Sequence, residues 1–269
     1  MSAQPRTATA RPSCDVSEVP DVEAAGVPGG DPPDLAAALE LLTEGELEVL
    51  GGIPWASNAT LLARVRNGES TSLAIYKPRR GEQPLWDFPD GTLYRREVAA
   101  YLVSEALAWG LVPPTIARGG PFGIGSVQLY VEADAQLTAF ELVEQDNPAM
   151  PLVAAFDVVV NNADRKGGHC LAETVDGRVW AIDHGVCFHE EPKLRTVLWD
   201  FAGQALPPGV VADLEELAST IRDGALGRDL CGLLEPDEIT ALGDRASALI
   251  SAGCFPLPSG RRPYPWPLV

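Results

Sequence analysis

The sequence predicts an α+β fold of two lobes, a small β-rich N-lobe followed by a larger, mainly helical C-lobe. Between Gly45 and Val131, short apolar runs of β type alternate with Gly and Asn turns, and one helical pattern interrupts them. After Val131 the apolar periodicity becomes mainly helical. We therefore expect a disordered tail at residues 1–34, the N-lobe at 35–133, the C-lobe at 134–255 and a proline-rich tail at 256–269.

The composition narrows the class of protein. The chain has 269 residues, 46% of them hydrophobic, which is enough to bury a substantial core. Its net charge of −18 opposes binding to nucleic-acid backbones and to anionic membranes, so we expect neither partner. Five cysteines without a CxxC spacing argue against a disulfide framework. Together with the lack of a signal-peptide pattern or a long apolar run, this predicts a soluble, cytoplasmic protein.

The N-lobe elements follow from local patterns. The predicted strands are GELEVLGGI, NATLLARVRN, STSLAIYKP and GIGSVQLYVEA, which Gly and Asn turns separate. The predicted helix is LYRREVAAYLVSEALAWG, residues 93–110. It places Val98, Leu102 and Ala106 on one face, and Gly110 provides a C-cap signal.

The C-lobe combines helical patterns with two loops of unusual composition. The predicted helices are PLVAAFDVVV, VVADLEELASTIRDG and PDEITALGDRASALISAG. The first runs into NNADRKGGH, which packs amides, charges and paired glycines into nine residues. The second loop belongs to RVWAIDHGVCF, a predicted strand and turn. Such loops favour a functional site rather than simple connections.

Four polar residues gain meaning from their order along the chain. Lys77 ends an apolar strand, and Glu97 lies in the first turns of the helix after it. Asp164 lies in the first C-lobe loop, and Asp183 ends the strand of the second. Each alone is typical of a solvated surface or of turn chemistry. In this order they indicate a phosphoryl-transfer site. In such a site a lysine neutralises phosphate oxygens and a glutamate orients the lysine. One further carboxylate binds a cation, and another orients or deprotonates the acceptor.

The two C-lobe loops also resemble those of a known superfamily. The segment DVVVNNADRKGGHCL followed by VWAIDHGVCF resembles the catalytic and metal-binding loops of the phosphatidylinositol 3- and 4-kinases. It is most similar to type II phosphatidylinositol 4-kinases and to actinobacterial phosphatidylinositol-kinase-like proteins. The resemblance covers roughly residues 50–206. It implies a two-lobed protein-kinase-like fold that uses ATP with Mg²⁺ or Mn²⁺.

The resemblance also implies roles for individual residues. It makes Asp164 the aspartate of the catalytic loop and Asp183 the metal-binding aspartate. Lys77 becomes the phosphate lysine, and Glu97 its partner. Arg165, which follows the catalytic aspartate, is a further catalytic candidate. As basic residues near the site, Arg165 and Lys166 would attract a phosphorylated soluble substrate.

Nucleotide binding is expected at two N-lobe segments. Residues 51–60 would form the loop that covers the phosphates, with Ser57 and Asn58 as candidate ligands. The hinge between the lobes would include Leu129 and Val131, whose backbone groups would bind adenine.

One position departs from the kinase pattern. His169 stands where kinases place an asparagine that binds metal. Because imidazole is a softer ligand than an amide oxygen, His169 predicts a preference for Mn²⁺, or weak catalysis. Activity should then fall as the imidazole protonates below about pH 6.5. The histidines also suggest a rival zinc site of His184, Cys187 and His189, although this spacing fits no common zinc signature.

The acceptor stays open at this level. We expect transfer of the γ-phosphoryl group to a hydroxyl of a protein, which includes autophosphorylation, or of a soluble small molecule. The candidate hydroxyls of the N-terminal tail are Ser2, Thr7, Thr9, Ser13 and Ser17. The alternatives are a nucleotide-binding pseudokinase, transfer of the AMP group, and a true phosphatidylinositol kinase.

Overall fold

The computed structural model describes residues 35–53 and 59–269. The predictions for residues 1–34 and for Ser57 and Asn58 lie outside these ranges. The described residues form an α+β fold in which a five-stranded sheet precedes a mainly helical lobe. The predicted fold class is therefore confirmed.

The N-lobe is built on an antiparallel sheet. Its strands are β1 (Glu46–Gly52), β2 (Leu61–Asn67), β3 (Ser70–Pro78), β4 (Thr115–Gly120) and β5 (Gly123–Leu129). Their order is β1-β2-β3-β5-β4, so β3 is the central strand, and Lys77 pairs there with Ser126 of β5. Helix α1 (Leu35–Glu44) covers one face with Ala38 and Leu42. The ladder with β2 ends at the preceding residue, Tyr76, so Lys77 is held from the β5 side at the point where the strand leaves the sheet.

Helix α2 (Leu93–Ala106) ends four residues before the predicted Gly110. The chain turns into the left-handed region at Ala108 (φ 53°) and again at Gly110 (φ 56°). The hydroxyl of Ser104 accepts hydrogen bonds from Leu111 N and Val112 N, and so holds the turn against the helix. The glycine is required, but it closes the turn rather than the helix.

The C-lobe has α3 (Ala139–Glu144), α4 (Met150–Val160), α5 (Val210–Asp223), α6 (Ala225–Leu230) and α7 (Pro236–Ala252), with the hairpin of β6 (Cys170–Ala172) and β7 (Val179–Ala181). Helix α4 is almost entirely buried in the core. The loop Asn161–His169 connects α4 to β6, and the second loop follows β7. None of the helices among the described residues has both the length and the apolar character that a membrane span requires.

A buried ion pair ties α2 to the C-lobe. Arg96 donates to Glu238 Oε1 of α7 at 2.5 Å and to the carbonyl of Cys187 at 2.6 Å. Its guanidinium also lies over the ring of Phe88. Because α2 carries Glu97, this anchor fixes the helix that holds Lys77.

Candidate active site

Three of the predicted site residues meet between the sheet and the C-lobe. The ammonium nitrogen of Lys77 lies 2.5 Å from Glu97 Oε1 and 3.1 Å from Asp183 Oδ1. Glu97 is buried, whereas Asp183 is 45% exposed. Although burial works against the charged amine, Asp183 and Glu97 raise the pKa of Lys77 above its ordinary value. Lys77 is therefore a fixed cation at the entrance of the cleft.

Asp183 adopts a backbone conformation that is rare for residues other than glycine. Its φ is 61°, in the left-handed region. The next backbone N–H, of His184, donates to Glu97 Oε2 at 3.0 Å, so one glutamate holds both Lys77 and the turn. Lys77 lowers the pKa of Asp183 while burial opposes it. The Asp183 carboxylate is thus ionised and partly open to the cleft.

Asp164 lies on the neighbouring loop with a lysine beside it. Its backbone N–H donates to Asn162 Oδ1 at 2.9 Å, which is an Asx turn. Its Oδ2 atom lies 3.1 Å from Lys166 Nζ, and the side chain is 34% exposed. Burial raises the pKa of Asp164, and the Lys166 ammonium works against that rise. Lys166, predicted only as a basic residue that attracts a phosphorylated substrate, is thus a direct partner of Asp164.

His169 faces Asp183 as an uncharged ring. Its Nε2 atom lies 3.2 Å from Asp183 Oδ2. The Lys166 N–H donates to Nδ1 at 3.4 Å, so the proton is on Nε2 in this arrangement. Burial lowers the pKa of His169 to about 4, against the attraction of Asp183. Burial therefore moves the protonation of this ring, and with it the loss of activity predicted through His169, from about pH 6.5 to a much lower pH.

The rival zinc site does not form. His184 is fully buried, and its Nε2 atom lies 2.8 Å from Arg165 Nη2, which must donate to it. His189 packs edge-on against Phe88 instead of meeting His184. Among residues 35–53 and 59–269, no group of three His, Cys, Asp or Glu side chains converges on a metal site. Cys187 is a buried core residue, as expected for a free thiol in this position.

Arg165 does not have the role predicted for it. Its side chain is completely buried and pairs with Asp157 of α4, with nitrogen to oxygen distances of 3.0 to 3.1 Å. It also donates to the carbonyl oxygens of His169 (3.1 Å) and Ile182 (2.7 Å). Although burial disfavours a charged guanidinium, Asp157 raises the pKa of Arg165 above its usual range. Arg165 therefore positions both loops and cannot contact a phosphorylated substrate.

The paired glycines of the first loop also serve packing. A Cβ atom on Gly167 would lie 2.7 Å from the ring of Phe140, so any larger residue there would have to displace that ring. The Gly167 N–H donates to the carbonyl of Leu268 at 2.8 Å. Its backbone N–H is thus occupied by the C-terminal segment and is not available to phosphate.

A cavity of about 310 Å³ lies beside these residues, between the lobes. Its walls include the side chains of Ile75, Leu129, Val131, Leu171 and Ile182. This apolar slot has the size expected for a small ligand such as a nucleoside. The Leu129 N–H already donates to the carbonyl of Pro114, so it is not available to bind adenine. Leu129 contributes to the wall of the cavity instead. A larger cavity, about 410 Å³, is lined by residues within segments 79–93 and 122–124.

The donor set fits a divalent cation that arrives with phosphate. Asp183 offers a partly exposed carboxylate, and His169 offers a neutral ring beside it. Two protein ligands are the number that Mg²⁺ commonly takes when phosphate oxygens and water complete its shell. For His169 to bind, its proton must move from Nε2 to Nδ1, at the expense of the 3.4 Å contact with the Lys166 N–H.

Comparison with known sequences places the chain in a family. No family model matches it. Protein Rv2133c of Mycobacterium tuberculosis is 42% identical over 262 residues, and the match covers 84% of this chain and 94% of that protein. The chain belongs to the Rv2133c family. That name carries no statement of activity.

The fold of this Rv2133c family member is similar to those of solved kinase-like structures. A structure of hydra Fam20 with sugar has a TM-score of 0.50 and 13% identity, covering 82% of this chain and 89% of that chain. The proinflammatory kinase CtkA of Helicobacter pylori has a TM-score of 0.48 and 10% identity, covering 78% and 93%. The likeness to Fam20 shows a two-lobed kinase-like fold.

Proposed function

We propose that the chain is an ATP-dependent phosphotransferase that transfers the γ-phosphoryl group to a hydroxyl of a protein or a soluble small molecule. The proposal depends on one observation: Lys77 is held by Glu97 within hydrogen-bond distance of Asp183, beside a nucleoside-sized cavity. Phosphoryl transfer needs mainly positioning and positive charge, which this arrangement supplies. The likeness of both loops to those of phosphatidylinositol 3- and 4-kinases supports the same class of reaction.

Each residue has a distinct role in this proposal. Lys77 binds phosphate oxygens, and Glu97 fixes its direction. Asp164, whose pKa is raised, accepts the proton of the acceptor hydroxyl, and Lys166 beside it offsets negative charge as the group moves. Asp183 would hold the divalent cation, which supplies charge neutralisation between phosphates.

Nucleotide binding would use the cavity between the lobes. The apolar walls at Leu129 and Val131 would enclose adenine. Ser57 and Asn58 of the covering loop, which lie outside the described residues, would contact phosphate. His169 would complete the cation site beside Asp183. Its imidazole favours Mn²⁺ over Mg²⁺.

The acceptor is proposed to be soluble. The net charge of −18 opposes an anionic bilayer, where each nearby cation contributes only about 1 kcal/mol. The motifs alone would favour a phosphoinositide. Sedimentation with phosphatidylinositol vesicles at physiological salt, with a lipid-kinase assay on the same vesicles, decides between the two. Vesicle binding with label in the lipid would overturn this choice and assign the chain to the phosphatidylinositol kinases that its motifs resemble.

The reaction itself is tested by labelled nucleotide. The purified protein is incubated with γ-labelled ATP and separately with α-labelled ATP, each with Mg²⁺ or Mn²⁺. Transfer of the γ label alone, lost in Lys77→Met, is the expected result. Transfer of the α label would identify AMP transfer instead. Absence of both labels from every acceptor and from released phosphate would refute the proposal.

A pseudokinase is the second candidate, because His169 donates toward Asp183 instead of leaving the carboxylate free. In that case calorimetry would show saturable ATP binding without turnover. His169→Asn would then be expected to restore measurable transfer. Binding without turnover in both proteins would favour a regulatory module.

A further inference from the structure

The C-terminal segment, residues 256–269, lies beside the catalytic loop. The carbonyl of Pro263 accepts from Thr196 N at 3.1 Å and from Trp199 Nε1 at 2.9 Å. The carbonyl of Leu268 accepts from Gly167 N at 2.8 Å, three residues after Asp164. Hydrogen bonds to the carbonyls of Pro263 and Leu268 therefore fix the second half of this segment next to the residue proposed to serve the acceptor.

The side chains of the segment face solvent. Trp266 is 87% exposed, and Tyr264, Leu268 and Val269 are exposed as well. Within the segment, the buried residue is Pro265. Exposed Phe140 extends the apolar strip across Gly167. A segment that blocked the site would bury such side chains against it, whereas these side chains form an exposed surface beside the site. We call these five exposed side chains, together with Arg261 and Arg262, the C-terminal platform.

The charge of the platform is opposite to that of the chain. The protein has 38 Asp and Glu, but residues 245–269 contain none. The platform contributes exposed Arg261 and Arg262 instead. An apolar surface with two cations fits a segment that alternates apolar and acidic residues.

Before helix α1, residues 15–23 form such a segment and carry a hydroxyl. Residues 15–23 read DVSEVPDVE, with four acids, three valines and Ser17. They lie outside the described residues. Ser17 precedes Leu35, where α1 begins, by 18 residues, a reach of up to about 60 Å. Because a folded unit of this size is about 45 Å across, that reach extends over most of its surface.

We propose, on the basis of the phosphotransferase function above, that residues 15–23 dock on the C-terminal platform and that Ser17 is the acceptor of intramolecular phosphorylation. The bond between the γ-phosphorus and its bridging oxygen breaks, and a bond from Ser17 Oγ to that phosphorus forms. ADP leaves, and the hydroxyl proton passes to Asp164 and then to solvent. The platform aligns the segment, and Asp164 and Lys166 act on the hydroxyl.

The test is site-resolved mass spectrometry of the full chain after incubation with ATP and Mn²⁺. We expect phosphate on Ser17, absent in Ser17→Ala and retained in Ser13→Ala. The double variant Arg261→Ala/Arg262→Ala and the single variant Trp266→Ala should each lower the initial rate at Ser17 at least tenfold. Both remove exposed side chains and none of the three backbone anchors. ATP hydrolysis in the same samples should stay unchanged.

The matched control is Arg222→Ala/Arg228→Ala, which removes two exposed arginines elsewhere on the C-lobe. An equal loss of Ser17 labelling in this control would show a general charge effect and overturn the docking proposal.

Label on other residues only, or on Ser17 without dependence on the platform, would also overturn the docking proposal while leaving the proposed phosphotransferase function intact. So would a rate per enzyme that rises with protein concentration, which would place the transfer between copies. Loss of vesicle sedimentation in the platform variants with unchanged Ser17 labelling would make the surface a membrane contact. No label and no ATP hydrolysis in the wild type would refute the proposed function itself.

Discussion

Removal of Asp157 should destabilise the protein and loosen both functional loops. Asp157 and Arg165 are each fully buried, and three hydrogen bonds join them. Asp157→Ala would leave the guanidinium buried without a counter-charge, which typically costs about 3–5 kcal/mol. At about 2–4 °C per kcal/mol for a chain of this size, the melting temperature should fall by about 6–20 °C.

Urea unfolding of the wild type and the variant, followed by circular dichroism, measures this cost. The exposed pair of Glu48 and Arg64 provides a control, since Glu48→Ala should cost less than about 1 kcal/mol. The double variant Asp157→Leu/Arg165→Met should be non-additive by about 1–3 kcal/mol, because the two side chains share one network. A cost below 1 kcal/mol for Asp157→Ala, or strict additivity, would refute the assignment of a charged buried pair.

Further predictions concern the residues that face the cleft. Lys77→Met should abolish label transfer while the fold is retained, and Glu97→Ala should weaken transfer in the same direction; wild-type rates in both would contradict the N-lobe assignment. Asp183→Asn should weaken cation-dependent ATP binding in calorimetry, whereas Asp164→Asn should cut turnover by about 10²-fold or more with binding preserved. Equal loss of affinity in both would contradict this division of roles. His169→Asn should move the cation preference from Mn²⁺ toward Mg²⁺, and an unchanged preference would exclude His169 as a ligand. Because burial lowers the pKa of His169 to about 4, below about 6.5 in the unfolded chain, the unfolded state takes up the proton first. Stability should therefore fall as pH drops from about 6.5 toward 4, and His169→Asn should remove this part of the loss in acid titrations of the unfolding free energy.

The sequence predicted the fold where local patterns were strong. Apolar alternation identified β2 and β3, and helical periodicity identified α2, α5 and α7. Helix α1 was missed because it directly follows a proline-rich stretch, and β4, with the sequence TIARGG, has no clear alternation. Both elements are stabilised by contacts with the sheet, which a single segment does not reveal.

The candidate site was predicted in its parts but not in its connections. The order of Lys77, Glu97 and Asp183 along the chain was sufficient to anticipate their meeting. The pairing of Arg165 with Asp157 was missed, although a single acid within the apolar run MPLVAAFDVVV was an available signal for a buried partner. The pair between Arg96 and Glu238 spans 142 residues, and neither position has a local pattern that indicates it.

The charge balance of the site explains why a cation would be needed. Two ammonium groups, of Lys77 and Lys166, lie among the three carboxylates of Glu97, Asp164 and Asp183. The buried arginine beside them is already neutralised by its own aspartate. The protein side of the cleft therefore has no positive excess to offer a polyphosphate, on a chain whose net charge is −18. A divalent ion that arrives with the nucleotide reverses that balance at Asp183, while the lysines remain to direct the phosphates.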